Sequence, residues 1–204
     1  MPRSREFSPE LVLDSALELF WSKGYEACSM ADVVKHSGVA RYGLYQAFND
    51  KDQLYCATLK RYHQRLHDLF IKPYCSHLED QSLAEHFDLV LQQLSNGERN
   101  GCFAHQAAIE RGAKDKNVKA IVEAIFNDAR AAYRKLIENG KKNGSISELN
   151  TDDLVTYVMG IQRALITMTK QQCTERERAD YVRCALELLK PTPAAGNMRS
   201  TDGC

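Results

Sequence analysis

Residues 29–54 read SMADVVKHSGVARYGLYQAFNDKDQL, and the rest of the chain is best read outward from them. Ser29 precedes an apolar pattern of Met30, Val33 and Val34, with Asp32 three residues on, which is the arrangement of a capping box at a helix start. Gly38 ends that helix after about two turns, as glycine does where the chain must turn left-handed. After Ser37-Gly38-Val39 a second short helix is expected over 40–48, with Leu44 and Phe48 spaced to face inward. Two short helices around a glycine turn make a helix-turn-helix.

The preceding segment fits this arrangement. Ser8-Pro9-Glu10 has proline where a first helical turn accepts it, and Val12, Ala16, Leu19 and Phe20 follow at i, i+4, i+7 and i+8 up to Gly24. Downstream, Asn49 and Asp50 start a longer helix from Lys51 through Leu54, Leu59, Tyr62, Leu66, Leu69 and Phe70, stopped by Pro73 near residue 72. Helical patterns then cover about 82–95, 102–112, 115–139, 151–171 and 175–190, with breaks at Asn96-Gly97, Gly101, Gly140 and Gly144. Thr151-Asp152-Asp153 and Thr174-Glu175-Arg176-Glu177 carry N-cap signatures. No strand alternation competes, so the expected fold class is all-α. The expected division is a helix-turn-helix head over 1–48, a helical body over 49–190 and a flexible tail over 191–204.

Composition narrows the function. The 204 residues have a formal net charge of zero, 44% hydrophobic and 26% charged residues, so disorder is not expected and no global basic excess marks a nucleic-acid partner. Residues 1–52 hold six Lys/Arg against eight Asp/Glu, but Glu10, Asp14 and Glu18 stack on one helix face that can point away from phosphates. No run of about 18 apolar residues and no signal-peptide pattern occurs, which gives the expectation of a cytoplasmic chain without a membrane partner. Seven cysteines, at 28, 56, 75, 102, 173, 184 and 204, form an odd set without paired spacing and read as reduced thiols.

The stretch from Ser29 to Leu54, with Phe20, Gly24-Tyr25, Gly38-Val39, Gly43-Leu44-Tyr45, Phe48 and Lys51 in order, resembles the tetracycline-repressor (TetR/AcrR-type) family of bacterial regulators. The motif resemblance covers about residues 8–60, and beyond it only length and helical layout match. It implies a homodimeric DNA-binding transcriptional regulator whose body dimerises through its last two helices and encloses a cavity for a small-molecule effector. Effector binding would then release a repressor from a pseudo-palindromic, double-stranded operator.

The DNA-facing set implied is Ser29, Arg41, Tyr42, Gly43, Tyr45, Gln46 and Lys51, with Arg3 and Arg5 as an arm reaching a groove or phosphate. Arg41 can pair bidentately with guanine, Tyr45 can donate to a phosphate, Gly43 permits close approach, and Lys51 adds charge at a helix start. Gln46-Ala47 stands where the family usually has a histidine. The plainer readings remain beside these: Tyr45 as core filling and Arg41 as a solvated charge.

Other chemistry has weaker support. Cys56, His63 and His67 share nearly one helix face, as a metal site would require, but Gln64 replaces the glutamate a metalloprotease needs after its first histidine. No cofactor is expected. Cys102, after Gly101 at a helix start, has His105 one turn on; the pair suggests a thiol that senses electrophiles or oxidants, or a packing residue. An enzyme using Cys102 as nucleophile lacks a third orienting group, so no enzymatic activity is expected. A ligand-independent DNA-packing protein is the remaining alternative. The apolar residues Val155, Val158, Met159, Ile161, Leu165, Met168, Val182, Ala185, Leu186 and Leu189 are expected to form the dimer surface, with Gly160 at a close helix approach.

Overall fold

The computed structural model describes residues 8–68, 82–95 and 101–192. Among them nine α-helices and no strand occur. Arg3, Arg5, Pro73, Cys75, Asn96-Gly97, Cys204 and the expected tail beyond residue 192 lie outside the described residues.

Local chemistry sets the helix boundaries. Helix α1 (Pro9–Lys23) begins on proline without a cap bond from Ser8 and ends at Gly24, whose φ of +85° suits glycine. A Cβ there would stand 2.6 Å from a Glu110 carboxylate oxygen, so a larger residue would also displace the Glu110 side chain. Helix α2 (Met30–Ser37) has the expected capping box: Ser29 Oγ accepts from the Asp32 amide at 3.1 Å, and Asp32 accepts from the Ser29 amide at 2.8 Å. After left-handed Gly38 comes α3 (Arg41–Phe48), then α4 (Lys51–Leu66), whose Gln53 amide donates to Asp50 at 2.8 Å.

The body continues with α5 (Leu83–Ser95), α6 (Phe103–Glu110), α7 (Lys116–Lys142), α8 (Thr151–Lys170) and α9 (Glu175–Glu187). Two boundaries differ from expectation. Helix α7 does not break at Gly140 but passes through it to Lys142; the glycine makes room for Ile146, whose Cδ1 a Cβ there would meet at 2.5 Å. Helix α8 is capped by Asn150, whose side chain accepts from the amides of Asp152 and Asp153 at 2.8 and 3.2 Å; Thr151 is its first helical residue. The Thr174–Glu177 capping box forms as expected.

Two apolar cores result. The first joins Val12, Phe20, Val33, Leu44, Leu54, Tyr55 and Leu59 to Phe103, Ala107, Val118 and Ile125, so packing runs without a break across residue 48. The second collects Phe87, Tyr133, Leu136, Ile137, Val158, Ile161, Leu165, Val182 and Leu189. Phe126 packs against both, and the space between them defines the interior site.

The residues expected to form a dimer surface are corrected here. Val155, Val158, Met159, Ile161, Leu165, Val182, Ala185 and Leu189 are all buried within their own chain, and Met168 and Leu186 pack against the second core. Their periodicity marks the helix face turned toward α5 and α7, which a single chain already covers. Tyr157, Arg163 and Thr167 of α8, Tyr181 and Cys184 of α9 and Leu188 just beyond it stay exposed, and a Cβ on Gly160 would meet nothing within 4 Å.

Candidate functional site

Helix α3 is anchored through fully buried Leu44 and leaves its leading side chains in solvent. Arg41, Tyr42, Tyr45 and Gln46 are exposed, Tyr42 to 77%, and the Arg41 guanidinium lies 5.5 Å from the Tyr45 ring centroid. A guanidinium and two phenols held together on a short helix offer base-edge and phosphate contacts at one place. Gly43 is half-buried between them. Ser29 is exposed, but its hydroxyl also donates to Asp32 at 2.6 Å, so it is engaged in the helix cap.

Acidic residues of the head are directed elsewhere. Asp14 pairs with Arg61 at 3.0 Å and Arg65 at 2.6 Å, tying α1 to α4, and Glu18 meets His36 at 3.3 Å. Lys51 lies over the Tyr25 ring with its ammonium 4.0 Å from the centroid.

Tyr25 is a junction that sequence reasoning missed. Its amide donates to Glu110 Oε2 at 2.8 Å, its hydroxyl bonds to Asp52, and Arg111 covers the ring at 4.2 Å while donating to Asp52 at 2.9 Å and Asp115 at 3.3 Å. Burial, then the bond to Asp52, pushes the phenol's pKa well up. Buried Gln106 adds bonds to the Phe20 carbonyl at 3.4 Å and to Glu110 at 3.1 Å. The C-terminal end of α6 thus holds the end of α1 and the start of α4.

The opposite end of α6 faces a cavity of about 180 Å³ between the two cores. Trp21 of α1, Tyr62, His63 and Leu66 of α4, and Cys102 and His105 at the start of α6 form one side. His86, Phe126, Tyr133, Gln162 and Ile166 contribute to the rest. Trp21 Nε1 donates to the Gly101 carbonyl at 3.1 Å, and the Tyr62 hydroxyl donates to Cys102 Sγ at 3.4 Å. His63 pairs with Asp128 at 2.6 Å and His86 with the Tyr133 hydroxyl at 3.1 Å. Burial lowers the pKa of His86 to about 4; burial, then Arg163 and Lys170, lowers that of His105. A protonated His105 therefore does not assist a Cys102 thiolate at neutral pH, which removes one support for the sensing expectation. The N-terminal position of Cys102 on α6 remains.

Cys56 packs against the first core, His63 is paired with Asp128 and His67 stands 3.7 Å from Asp68. Among the described residues no cluster of three His, Cys, Asp or Glu side chains is placed to hold a metal ion. None of the described helices is long and apolar enough to cross a membrane.

Comparison with known proteins gives consistent matches. Residues 12–58 match the model described as bacterial regulatory proteins, tetR family, and residues 81–186 that of a tetracyclin repressor-like C-terminal domain. YezE, an uncharacterized HTH-type transcriptional regulator of Bacillus subtilis (strain 168), is 25% identical over 197 residues, 93% of this chain and 100% of that protein. The HTH-type transcriptional repressor ComR of Escherichia coli (strain K12) is 43% identical over 63 residues, 31% of this chain and 30% of that protein. A cysteine mutant of the TetR family transcriptional regulator CifR, complexed with 26bp double-strand operator DNA, superposes with a TM-score of 0.76 at 21% identity, over 91% of this chain and 98% of that one.

Proposed function

Because the chain belongs to the tetR family of bacterial regulatory proteins, a class of DNA-binding transcriptional regulators rather than enzymes, we propose that it is a homodimeric repressor released from its operator by a small molecule bound between the two cores. The observation that carries this reading is the position of α6. Cys102 and His105 at its start line the cavity, and Gln106, Glu110 and Arg111 at its end grip Phe20, Tyr25 and Asp52 beside Lys51. A ligand that shifts α6, or pushes on Trp21 and Tyr62, changes how the head is held. Differential contact of one ligand with two head positions is what a coupling energy requires. The 43% identity with the repressor ComR falls on a head-sized stretch and supports the DNA-binding part of this reading.

The division of labour proposed is a DNA-contacting head over 1–48, a ligand-binding and dimerising body over 49–190 and a tail beyond. Arg41 and Tyr42 read bases, with Tyr45, Gln46, Ser29, Gly43 and Lys51 at the backbone. The second copy is proposed to cover the outer faces of α8 and α9 at Tyr157, Gly160, Tyr181 and Leu188, where glycine permits close approach. Selection of bound genomic fragments tests this: the expected result is a pseudo-palindrome with half-sites a groove repeat apart, and binding without sequence preference would favour a DNA-packing protein.

A second reading is favoured by the Cys102 thiol itself, which faces the cavity within reach of the Tyr62 hydroxyl. An electrophilic alkene entering there would be attacked by the thiolate, forming a C–S bond while its α-carbon takes up a proton from water. Cys28 and Cys56 are poorer nucleophiles because burial raises their pKa, whereas exposed Cys184 serves as an alkylation control. If the sensing reading holds, an enone releases wild type from DNA and Cys102→Ser stays bound; release that persists in Cys102→Ser removes it.

A further inference from the structure

We propose that the cavity takes a small, neutral aromatic molecule bearing one hydroxyl, its ring held among Trp21, Tyr62 and Phe126 and its hydroxyl on the His105 imidazole. This names the effector class for the site assigned above and rests on that assignment.

Size sets the first limit. An engineered cavity of about 150 Å³ holds benzene, so the volume here, about 180 Å³, fits one ring with a modest substituent. Charge sets the second. Among the described residues no Asp, Glu, Lys or Arg lines the cavity, and the lining histidine His63 is already paired with Asp128. Burial holds His86 neutral at pH 7, its pKa being about 4, so the described lining residues offer no counter-ion to a carboxylate or ammonium that would have to leave water. Arg163 and Lys170 lie near enough to depress the pKa of His105, but neither contributes to the wall.

Shape and hydrogen bonding complete the class. Trp21 and Tyr62 meet at 5.2 Å and 78°, and His105 and Phe126 at 5.0 Å, so the walls present ring faces and edges to a guest. His105 lines the cavity, and its imidazole is not saturated, because Nδ1 is buried without a hydrogen-bond partner. A hydroxyl both donates and accepts, so it satisfies the neutral imidazole in either tautomer, which a ketone or an ether cannot.

The test uses the full-length protein and four probes of one ring size: p-cresol, toluene, benzoate and benzylamine. Binding is read by calorimetry and by the fluorescence of Trp21, the chain's single tryptophan. The expected result is p-cresol binding more than about tenfold tighter than either charged probe, since neither charge finds a partner. His105→Phe should weaken p-cresol about fivefold, the value of one net hydrogen bond, and leave toluene within about twofold. Benzoate or benzylamine binding as tightly as p-cresol overturns the proposal, as does a folded His105→Phe with unchanged p-cresol affinity; the charge series needs no variant and decides alone if that protein does not fold. Operator release is measured separately. Binding of p-cresol without release contradicts the regulatory reading and supports the ligand class, whereas release by benzoate with no p-cresol binding contradicts the class and leaves the regulatory reading standing.

Discussion

Helices α3 and α6 are both eight residues long and both start without a side-chain cap bond, yet they present their chemistry in opposite directions. Only Leu44 of α3 is buried, and Arg41, Tyr42, Tyr45 and Gln46 project into solvent. In α6, Phe103, Ala104, Gln106 and Ala107 are buried, and its functional side chains turn into the protein. A surface that reads DNA must be available before its partner arrives, whereas a surface that reads a small molecule must exclude water to gain anything from apolar contact. The difference also decides what each helix can transmit. Helix α3 is held by the core through Leu44 and Phe48, while α6 touches the cavity at one end and the head at the other.

The sharpest way to break this contrast is to ask whether head and body are one cooperative unit. Phe20 stacks edge-on against Tyr55 at 5.0 Å, and Tyr55 against Phe103 at 5.6 Å, so α1, α4 and α6 share one aromatic cluster. Phe20→Ala should cost about 3–5 kcal/mol and lower a single urea transition seen by probes in both parts. Separate transitions for residues 9–48 and for the body would show that the first core does not bind them together.

Acid tests the cavity side through His86. His86 has its folded pKa depressed to about 4 from an ordinary value near 6.5, so its neutral form stabilises the fold. That stability is complete above about pH 6.5 and falls as the pH drops through the window to about 4, by up to about 3 kcal/mol. His86→Phe should flatten the urea midpoint between pH 7 and pH 5 relative to wild type, and an unchanged slope in that variant would remove His86 as the cause.

On the DNA side, Arg41→Ala should lose about 1–3 kcal/mol of operator affinity and relax base preference, with unfolding unchanged. Lys51→Ala should weaken binding evenly across sequences and reduce the salt slope by about one unit. Because Lys51 also covers Tyr25, some loss of stability is expected there and not for Arg41. Anisotropy titrations across salt separate the two, and unchanged binding in both variants would remove the DNA contacts assigned to this face.

The smallest effect concerns the link between the two surfaces. Arg111→Ala removes the stacking on Tyr25 and the bonds to Asp52 and Asp115, groups that belong neither to α3 nor to the cavity wall. It should keep operator and cavity affinity within a few fold and reduce the coupling between them by about 0.5–2 kcal/mol. Operator affinities measured with and without a saturating cavity ligand give this quantity directly, and undiminished coupling would place the transmission elsewhere, through Trp21 and Tyr62.

The same contrast explains what the sequence revealed. The head was legible because its signals are local: Ser29 with Asp32, Gly38, Leu44 and Asp50 each act within one or two turns, and the motif has a fixed order. The cavity was not, because Trp21, Tyr62, Cys102, Phe126 and Gln162 come together only through packing and obey no spacing. Cys102 and His105 were found because they are one turn apart beside a glycine; His86, Tyr133 and Trp21 had no such mark, although a lone tryptophan next to the helix-ending Gly24 was a cue. The apolar stripes of α8 and α9 misled for a physical reason, since periodicity reports that a face is buried and not whether the same chain or a second copy buries it.

Hydrogen–deuterium exchange of the protein alone and with its operator fragment tests the central claim, that the DNA-reading surface and the cavity are coupled through α6, without needing the ligand. Coupling is reciprocal, so DNA that sets the head must also act on the cavity. Slowed exchange is expected in α2 and α3 together with altered exchange across residues 101–111. Protection confined to α2 and α3, with residues 101–111 exchanging as in the free protein, would contradict it.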